Sequence, residues 1–179
     1  MKHYHLIIGL GNPDPLLLDT YHNVGTMALE ALGKGLRFKA YQGLFAYAEA
    51  GTAPDGTTLA LVKPLVFMNE SGVAARAAAK MFNTPPAQIT VIHDDSDLAL
   101  GDVKFSKGQS SAGHRGVQSI IDALRSKDFA RVRIGIRNKN EKRRKKAGEF
   151  VLKPIKASDK KILAQVFETI TATLPGSSS

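Results

Sequence analysis

The chain contains no cysteine. That absence excludes disulfides, thiolate nucleophiles and cysteine-based zinc sites. No apolar run approaches the roughly 18 residues that span a bilayer, so no membrane partner is expected. The N-terminus, MKHYHLIIGLGNP, carries a short apolar stretch broken by glycine and proline. It lacks the form of a signal peptide, and the expected location is cytoplasmic. Neither an internal repeat nor an interdomain linker is visible. The 179 residues therefore suit one domain over 1–175, with a frayed tail at 176–179. Acidic residues are few, 16 against 25 lysines and arginines, for a net charge of +9. Such an excess favours a polyanionic partner, nucleic acid before membrane, because no segment forms a basic amphipathic helix. Three familiar signatures are missing too. The dinucleotide fingerprint GxGxxG has Gly9 and Gly11 but Asp14 in the third position, and a long loop follows where a helix should open. The GxSxG and Walker A motifs do not occur.

What is present alternates between two periodicities. Strand patterns run over 4–10, 44–49, 58–62, 89–92, 103–105 and 132–136. Helical spacing runs over 24–36, 69–82, 114–124 and 158–174, with Ser158 as cap of the last and Ile162, Val166 and Ile170 on one face. The turn-rich Ala53-Pro54-Asp55-Gly56 joins two of the strands as a hairpin. Strands alternating with helices imply an α/β fold: a single domain with a twisted, mixed, largely parallel sheet flanked by helices.

The informative stretch is 88–101, QITVIHDDSDLALG. Its apolar run, Ile89 to Ile92, is that of a strand buried on both faces, and it empties into His93, Asp94, Asp95 and Asp97. The carboxyl edge of an open α/β sheet is where ligands bind. Asn12, His22, Asn69 and His114 sit in other loops that can supply that edge. A histidine beside a carboxylate is the usual general-base pair, because the carboxylate fixes the tautomer and stabilises the imidazolium. Asparagine amides can hold a carbonyl or a developing oxyanion; Asn69 can equally cap its helix. His3 and His5 alternate on the first strand without an acidic neighbour, as edge histidines rather than metal ligands.

Taken together, the loops resemble the bacterial-type peptidyl-tRNA hydrolase. Gly9-Leu10-Gly11-Asn12-Pro13 followed by Thr20-Tyr21-His22-Asn23-Val24-Gly25 is similar to its GLGNPG…TRHNxG. Lys63-Pro64-Leu65-Val66-Phe67-Met68-Asn69-Glu70-Ser71-Gly72 is similar to KPxTFMNxSG. His93-Asp94-Asp95-Ser96-Asp97-Leu98 is similar to HDELDL, Gly113-His114-Arg115-Gly116 to the end of GGHNG, and Arg131-Val132-Arg133-Ile134-Gly135-Ile136 to RLRIGIG. The resemblance implies hydrolysis of the ester between a peptide and the terminal ribose of tRNA, by a monomer without cofactor or metal. It implies His22 as the base that activates water, oriented by Asp94. Asn12 and Asn69 would position the peptide and its carbonyl, with Leu17, Phe67, Met68, His114 and Arg115 lining the substrate channel. Arg133 and Lys107 would hold tRNA phosphates. The basic loop NKNEKRRKK adds Lys142, Arg143 and Arg144 to that set.

The chain departs from the pattern at Asp14, Leu17, Tyr21, Asp95 and Arg115, where the family has glycine, tyrosine, arginine, glutamate and asparagine. The family's C-terminal helix is expected to be shorter here. Arg115 is expected to turn toward Asp14, Asp95 or RNA rather than toward Asp94. Two readings follow: an active hydrolase, favoured by Asn12, His22, Asn69 and Asp94, and a relative that binds RNA without hydrolysing.

Overall fold

The computed structural model describes residues 2–139, 148 and 150–174. Their strands form one seven-stranded sheet in the order β2-β3-β4-β1-β5-β7-β6. In chain order the strands are β1 His3–Gly9, β2 Lys39–Tyr41, β3 Phe45–Thr52, β4 Thr57–Pro64, β5 Ile89–Ala99, β6 Val103–Lys107 and β7 Ala130–Arg137. The helices are α1 Val24–Leu32, α2 Ser71–Met81, α3 Arg115–Leu124 and α4 Ala157–Thr173. The four central strands β4, β1, β5 and β7 run parallel. Antiparallel partners close both edges, with β3 on β4 at one and β6 on β7 at the other.

Strand β1 explains the layering. Its neighbours lie on both sides, so each face must be covered. Ile7 joins one core with Ile92, Val132 and the α4 residues Leu163, Val166 and Ile170. Leu6 and Ile8 point the other way, into a core with Val91, Ala74, Ala75 and Ala78 of α2 and Ile120 of α3. The alanines of α2 have little side chain, so its backbone lies close to the sheet and to α3.

The structure corrects several expectations. Strand β5 does not stop at Ile92 but continues through the acids to Ala99. Each of the first two carboxylates finds a cationic or imidazole partner, so polar residues are tolerated there, and β7 runs alongside to the Asp95–Gly135 pair. Beyond that point β5 crosses directly over Gly135, where an added Cβ would lie 2.0 Å from the Ala99 carbonyl oxygen. The edge strand β2 escaped the pattern because its three residues are largely exposed and carry no alternation. Helix α1 ends at Leu32, four residues short of the expected limit. In α4 the N-cap position belongs to Lys156, and the Ser158 hydroxyl donates to Asp159 from inside the first turn. Its buried face contains Leu163 in place of Ile162, which is 38% exposed. Asn69 caps nothing: it lies in a 3₁₀ turn, Met68–Glu70, and α2 starts one residue after that turn's Glu70 without a side-chain cap. The tail 176–179 lies outside the described residues.

Candidate active site

The carboxyl ends of β1 and β4, the second half of β5 and the first half of β7 line one cleft of about 730 Å³. It lies where a parallel sheet is expected to hold a ligand. Asn12 follows β1, His22 sits in a 3₁₀ turn before α1, and Phe67, Met68 and Asn69 lie between β4 and α2. His93, Asp94 and Asp95 come from β5, His114 and Arg115 from the start of α3, and Arg131 and Arg133 from β7. Gly25 permits the close approach of α1 to β5. A Cβ there would lie 2.3 Å from the Ile92 carbonyl oxygen, so the turn carrying His22 can sit against the strand carrying Asp94.

At the centre two imidazoles share one carboxylate oxygen. His22 Nδ1 lies 2.9 Å and His114 Nε2 2.8 Å from Asp94 Oδ1. An ionised carboxylate only accepts, so both nitrogens carry hydrogen. The other His114 nitrogen, Nδ1, accepts from the Val117 backbone N–H and caps α3. Both of its ring nitrogens are therefore committed. His93 donates from Nδ1 to the Asp94 carbonyl at 2.7 Å, and its Nε2 is buried without a partner among the described residues. Burial, and then the neighbouring His114, push the His93 pKa down to about 3, so its ring is neutral. Among these three histidines only His22 presents an uncommitted nitrogen, Nε2, to the cleft. Asp94 is 3% exposed. Burial alone would raise its carboxyl, but His114 and the hydrogen bonds from both imidazoles outweigh that and hold it well below the usual carboxylate range.

Asn12 is oriented as firmly. Its backbone N–H donates to Asn23 Oδ1, and Asn23 Nδ2 donates back to the Asn12 carbonyl. The Asn12 side-chain oxygen accepts from the Met68 backbone N–H at 2.9 Å. The amide NH₂ is then the end left to face the cleft, as a donor. Asn69 lines the cleft from an exposed position. Leu17, half-exposed Phe67 and Met68 add an apolar wall. Tyr21, where the family pattern has arginine, turns away from the cleft. Its hydroxyl donates to Asp159 of α4 at 2.6 Å, and the next residue is held by a hydrogen bond from its backbone N–H to the Val151 carbonyl.

The expected cationic residues divide. Arg133 lines the cleft but donates from Nε to Asp95 at 2.7 Å. Lys107 lies apart from the cleft lining and pairs with Asp128. Lys142, Arg143 and Arg144 lie outside the described residues. Arg115 is exposed at the cleft and pairs with neither Asp14 nor Asp95, which correct the first two partners expected for it; it does not pair with Asp94 either. Asp14 instead accepts from the Leu16 N–H, and Asp95 from Arg133 and the Asp97 N–H.

Sequence reasoning missed Asn23, His93 and Arg131. All three lie inside quoted motifs, but nothing in spacing separates a clamp from a loop residue. Arg131 reads as an ordinary strand cation until its burial is known. For a metal, the ligand atoms of His22, Asp94 and His114 lie within 4.8 Å of one another. A cation there would have to displace the two hydrogen bonds to Asp94.

This arrangement defines a class: single-domain α/β proteins that present a carboxylate-held imidazole in a cleft at the sheet's carboxyl edge. The chain belongs to the peptidyl-tRNA hydrolase family, whose sequence profile matches residues 6–178. It is 37% identical to a peptidyl-tRNA hydrolase of Persephonella marina over 160 residues, covering 89% of this chain and 83% of that one. It is 38% identical to that of Thermodesulfovibrio yellowstonii over 170 residues, covering 92% and 88%. The crystal structure of peptidyl-tRNA hydrolase from Acinetobacter baumannii superposes with a TM-score of 0.83 at 26% identity, over 96% of this chain and 87% of that one. No helix among the described residues is long and apolar enough to cross a membrane.

Proposed function

We propose that this protein hydrolyses the ester joining a peptide to the terminal ribose of tRNA, with His22 as general base. The observation that carries the mechanism is that His22 Nε2 is the uncommitted imidazole nitrogen at the cleft while its Nδ1–H is anchored on Asp94. Nε2 takes a proton from water as the water oxygen bonds to the ester carbonyl carbon. Asp94, ionised and buried, stabilises the imidazolium that forms. The Asn12 amide donates to the carbonyl oxygen as it gains charge, and Asn69 supports the same group. Collapse breaks the bond to the ribose oxygen, which takes its proton from the imidazolium. The products are a free peptide acid and a tRNA with its terminal hydroxyl restored.

His114 acts by holding Asp94 rather than by proton transfer, since both its nitrogens are occupied. Leu17, Phe67 and Met68 receive the peptide, and Arg115 with the loop residues Lys142, Arg143 and Arg144 receives RNA phosphates. A monomer in the cytoplasm fits this role, because peptidyl-tRNA arises where translation occurs.

The test is turnover of an N-blocked aminoacyl-tRNA by the intact protein and by His22→Ala. Hydrolysis by the former and its loss in the latter, with RNA binding retained, supports the proposal. Binding of the substrate without any turnover supports the reading as a non-catalytic RNA-binding relative.

A further inference from the structure

The short segment that carries His22 is fastened to the start of α4 and the residues before it. The Asp19 carbonyl accepts from the Ile155 N–H, Thr20 makes an antiparallel bridge with Pro154, and the His22 N–H donates to the Val151 carbonyl at 2.8 Å. Those are backbone contacts, open to almost any side chain. The pair of Lys160 with Asp19 is a side-chain contact, but both partners are about half exposed, so it adds little. Tyr21 is different. It is 6% exposed, its ring belongs to the core of Val151, Ile155 and Leu163, and it meets the Phe150 ring edge-on. Its hydroxyl donates to Asp159 Oδ2 at 2.6 Å, across 138 residues of chain, and accepts a longer bond from the Lys156 N–H. That length is the one expected of a charge-assisted O–H···O⁻ bond. Asp159 lies in the first turn of α4, where a carboxylate suits the helix dipole, and its other oxygen accepts from the Ser158 hydroxyl. A phenylalanine would fill the same core without needing a partner, so packing alone does not account for the hydroxyl. Tyr21, His22 and Asn23 make up one 3₁₀ turn, without a side-chain cap from Thr20. So short a turn has little hydrogen bonding of its own. The direction of the His22 side chain therefore depends on what holds the flanks: Asn12 at the Asn23 side and Asp159 at the Tyr21 side.

We propose that Tyr21 and Asp159 form a positioning pair that sets the His22 imidazole against Asp94. The pair touches neither the substrate nor the reacting atoms and acts through the backbone of the turn. Its consequence for turnover rests on the reading of His22 as the base. Without the hydroxyl, the turn keeps its backbone contacts and its core packing but loses its charge-assisted link to α4. The His22 Nδ1–H bond to Asp94 then has to hold the ring against a looser support, and Nε2 is placed less accurately for the attacking water. On this view the first turn of α4, remote in sequence from the cleft motifs, is part of the architecture of the base. The rival role is a brace that holds α4 on the core and leaves His22 where it is.

The experiment compares the intact protein with Tyr21→Phe, Asp159→Ala and Asp159→Asn. Four properties are measured: melting temperature, kcat and KM for an N-blocked aminoacyl-tRNA well below melting, binding of a deacylated acceptor-stem RNA hairpin, and the low-field NMR signals of the imidazole N–H groups bonded to Asp94. The His22 signal is the one absent from His22→Ala. In Tyr21→Phe, kcat should fall by about threefold to tenfold, part of the roughly 10²-fold that a 1 Å misplacement costs. KM and hairpin affinity should stay unchanged. The His22 N–H signal should move upfield or broaden, while that of His114 stays in place. Asp159→Ala should match Tyr21→Phe, and Asp159→Asn, which keeps an acceptor for the phenol, should do less harm. The double variant of Tyr21→Phe with Asp159→Ala should be little worse than either alone. A lower melting temperature with kcat and the His22 signal unchanged would make the pair a brace for α4 and overturn the proposal. A raised KM with kcat intact would also overturn it, placing the pair in substrate binding. The NMR comparison needs no catalysis, so it decides the hold on His22 even if the intact protein shows no turnover, a result that would count against the hydrolase reading alone.

Discussion

The cleft has two ends of opposite character. At the histidine end, Asp94, His114 and the Asn12 side-chain oxygen are bound to side chains or backbone, and the groups left open are the His22 Nε2 lone pair and the Asn12 amide NH₂. At the arginine end, Arg131 and Arg115 have no ion pair, and His93 Nε2 and Ser106 Oγ no hydrogen-bond partner, among the described residues. The first end is organised before any ligand arrives, so little rearrangement is needed as charge develops. The second holds cations without a protein partner among the described residues. The proposed chemistry and the expected recognition of RNA thus fall to groups in different states: the former uses side chains held by hydrogen bonds, the latter cations without a protein partner among the described residues.

Substitutions should respect that division. The largest effect is expected from His22→Ala, which removes the base. Turnover should fall by about 10²–10⁴-fold while RNA affinity stays close to that of the intact protein, measured by steady-state kinetics beside hairpin binding. A comparable loss of binding would erase the distinction between the ends. Asp94→Asn should come next, with turnover lower by roughly 10²-fold. An amide oxygen can accept both N–H donors but carries no charge to stabilise an imidazolium. The double variant of Asp94→Asn with His22→Ala should be little worse than His22→Ala alone, since the two act as a unit.

At the other end, Arg115→Asn should weaken hairpin binding by a fewfold and lower its salt slope, with turnover at saturating substrate retained. If this substitution instead abolished turnover, Arg115 would belong to the histidine end.

A separate effect concerns stability in acid. His93 has a depressed pKa of about 3, and burial lowers that of His5 as well. Below their unfolded pKa of about 6.5, the unfolded chain binds more protons than the folded one. Stability contributed by the neutral rings is therefore fully present above about pH 6.5 and is lost as pH falls toward the folded values. The depressed Asp94 carboxyl adds a second loss only below about pH 4. Denaturant titrations between about pH 6 and 4 should show a slope near 1.4 kcal/mol per pH unit for His93. His93→Asn keeps a donor for the Asp94 carbonyl and should remove that part of the slope while leaving the limb below pH 4.

The two ends also differ in how far they can be read from residues alone. The histidine end is carried by short motifs at loop positions after strands, and His22, Asp94, Asn12, Asn69 and His114 all line the cleft. The finer assignment required contacts. The His114 tautomer follows from Val117 and Asp94 together, and the free end of Asn12 follows from the Met68 N–H. At the arginine end the reading was poorer. Arg133 is engaged by Asp95, Lys107 pairs with Asp128 apart from the cleft lining, and Arg131, quoted only as part of a motif, proves to be buried in the cleft wall.

By itself the sequence determined the alternation of strands and helices, the two-faced core and the loops that gather at one sheet edge. Each depends on local periodicity and on which faces must leave water. The tertiary structure alone decided which arginine is paired, which imidazole nitrogen is free and how far β5 runs. Those outcomes depend on which groups from distant segments meet within hydrogen-bonding distance. A charge on one residue carries no record of whether its partner is an aspartate, a helix N–H or a ligand.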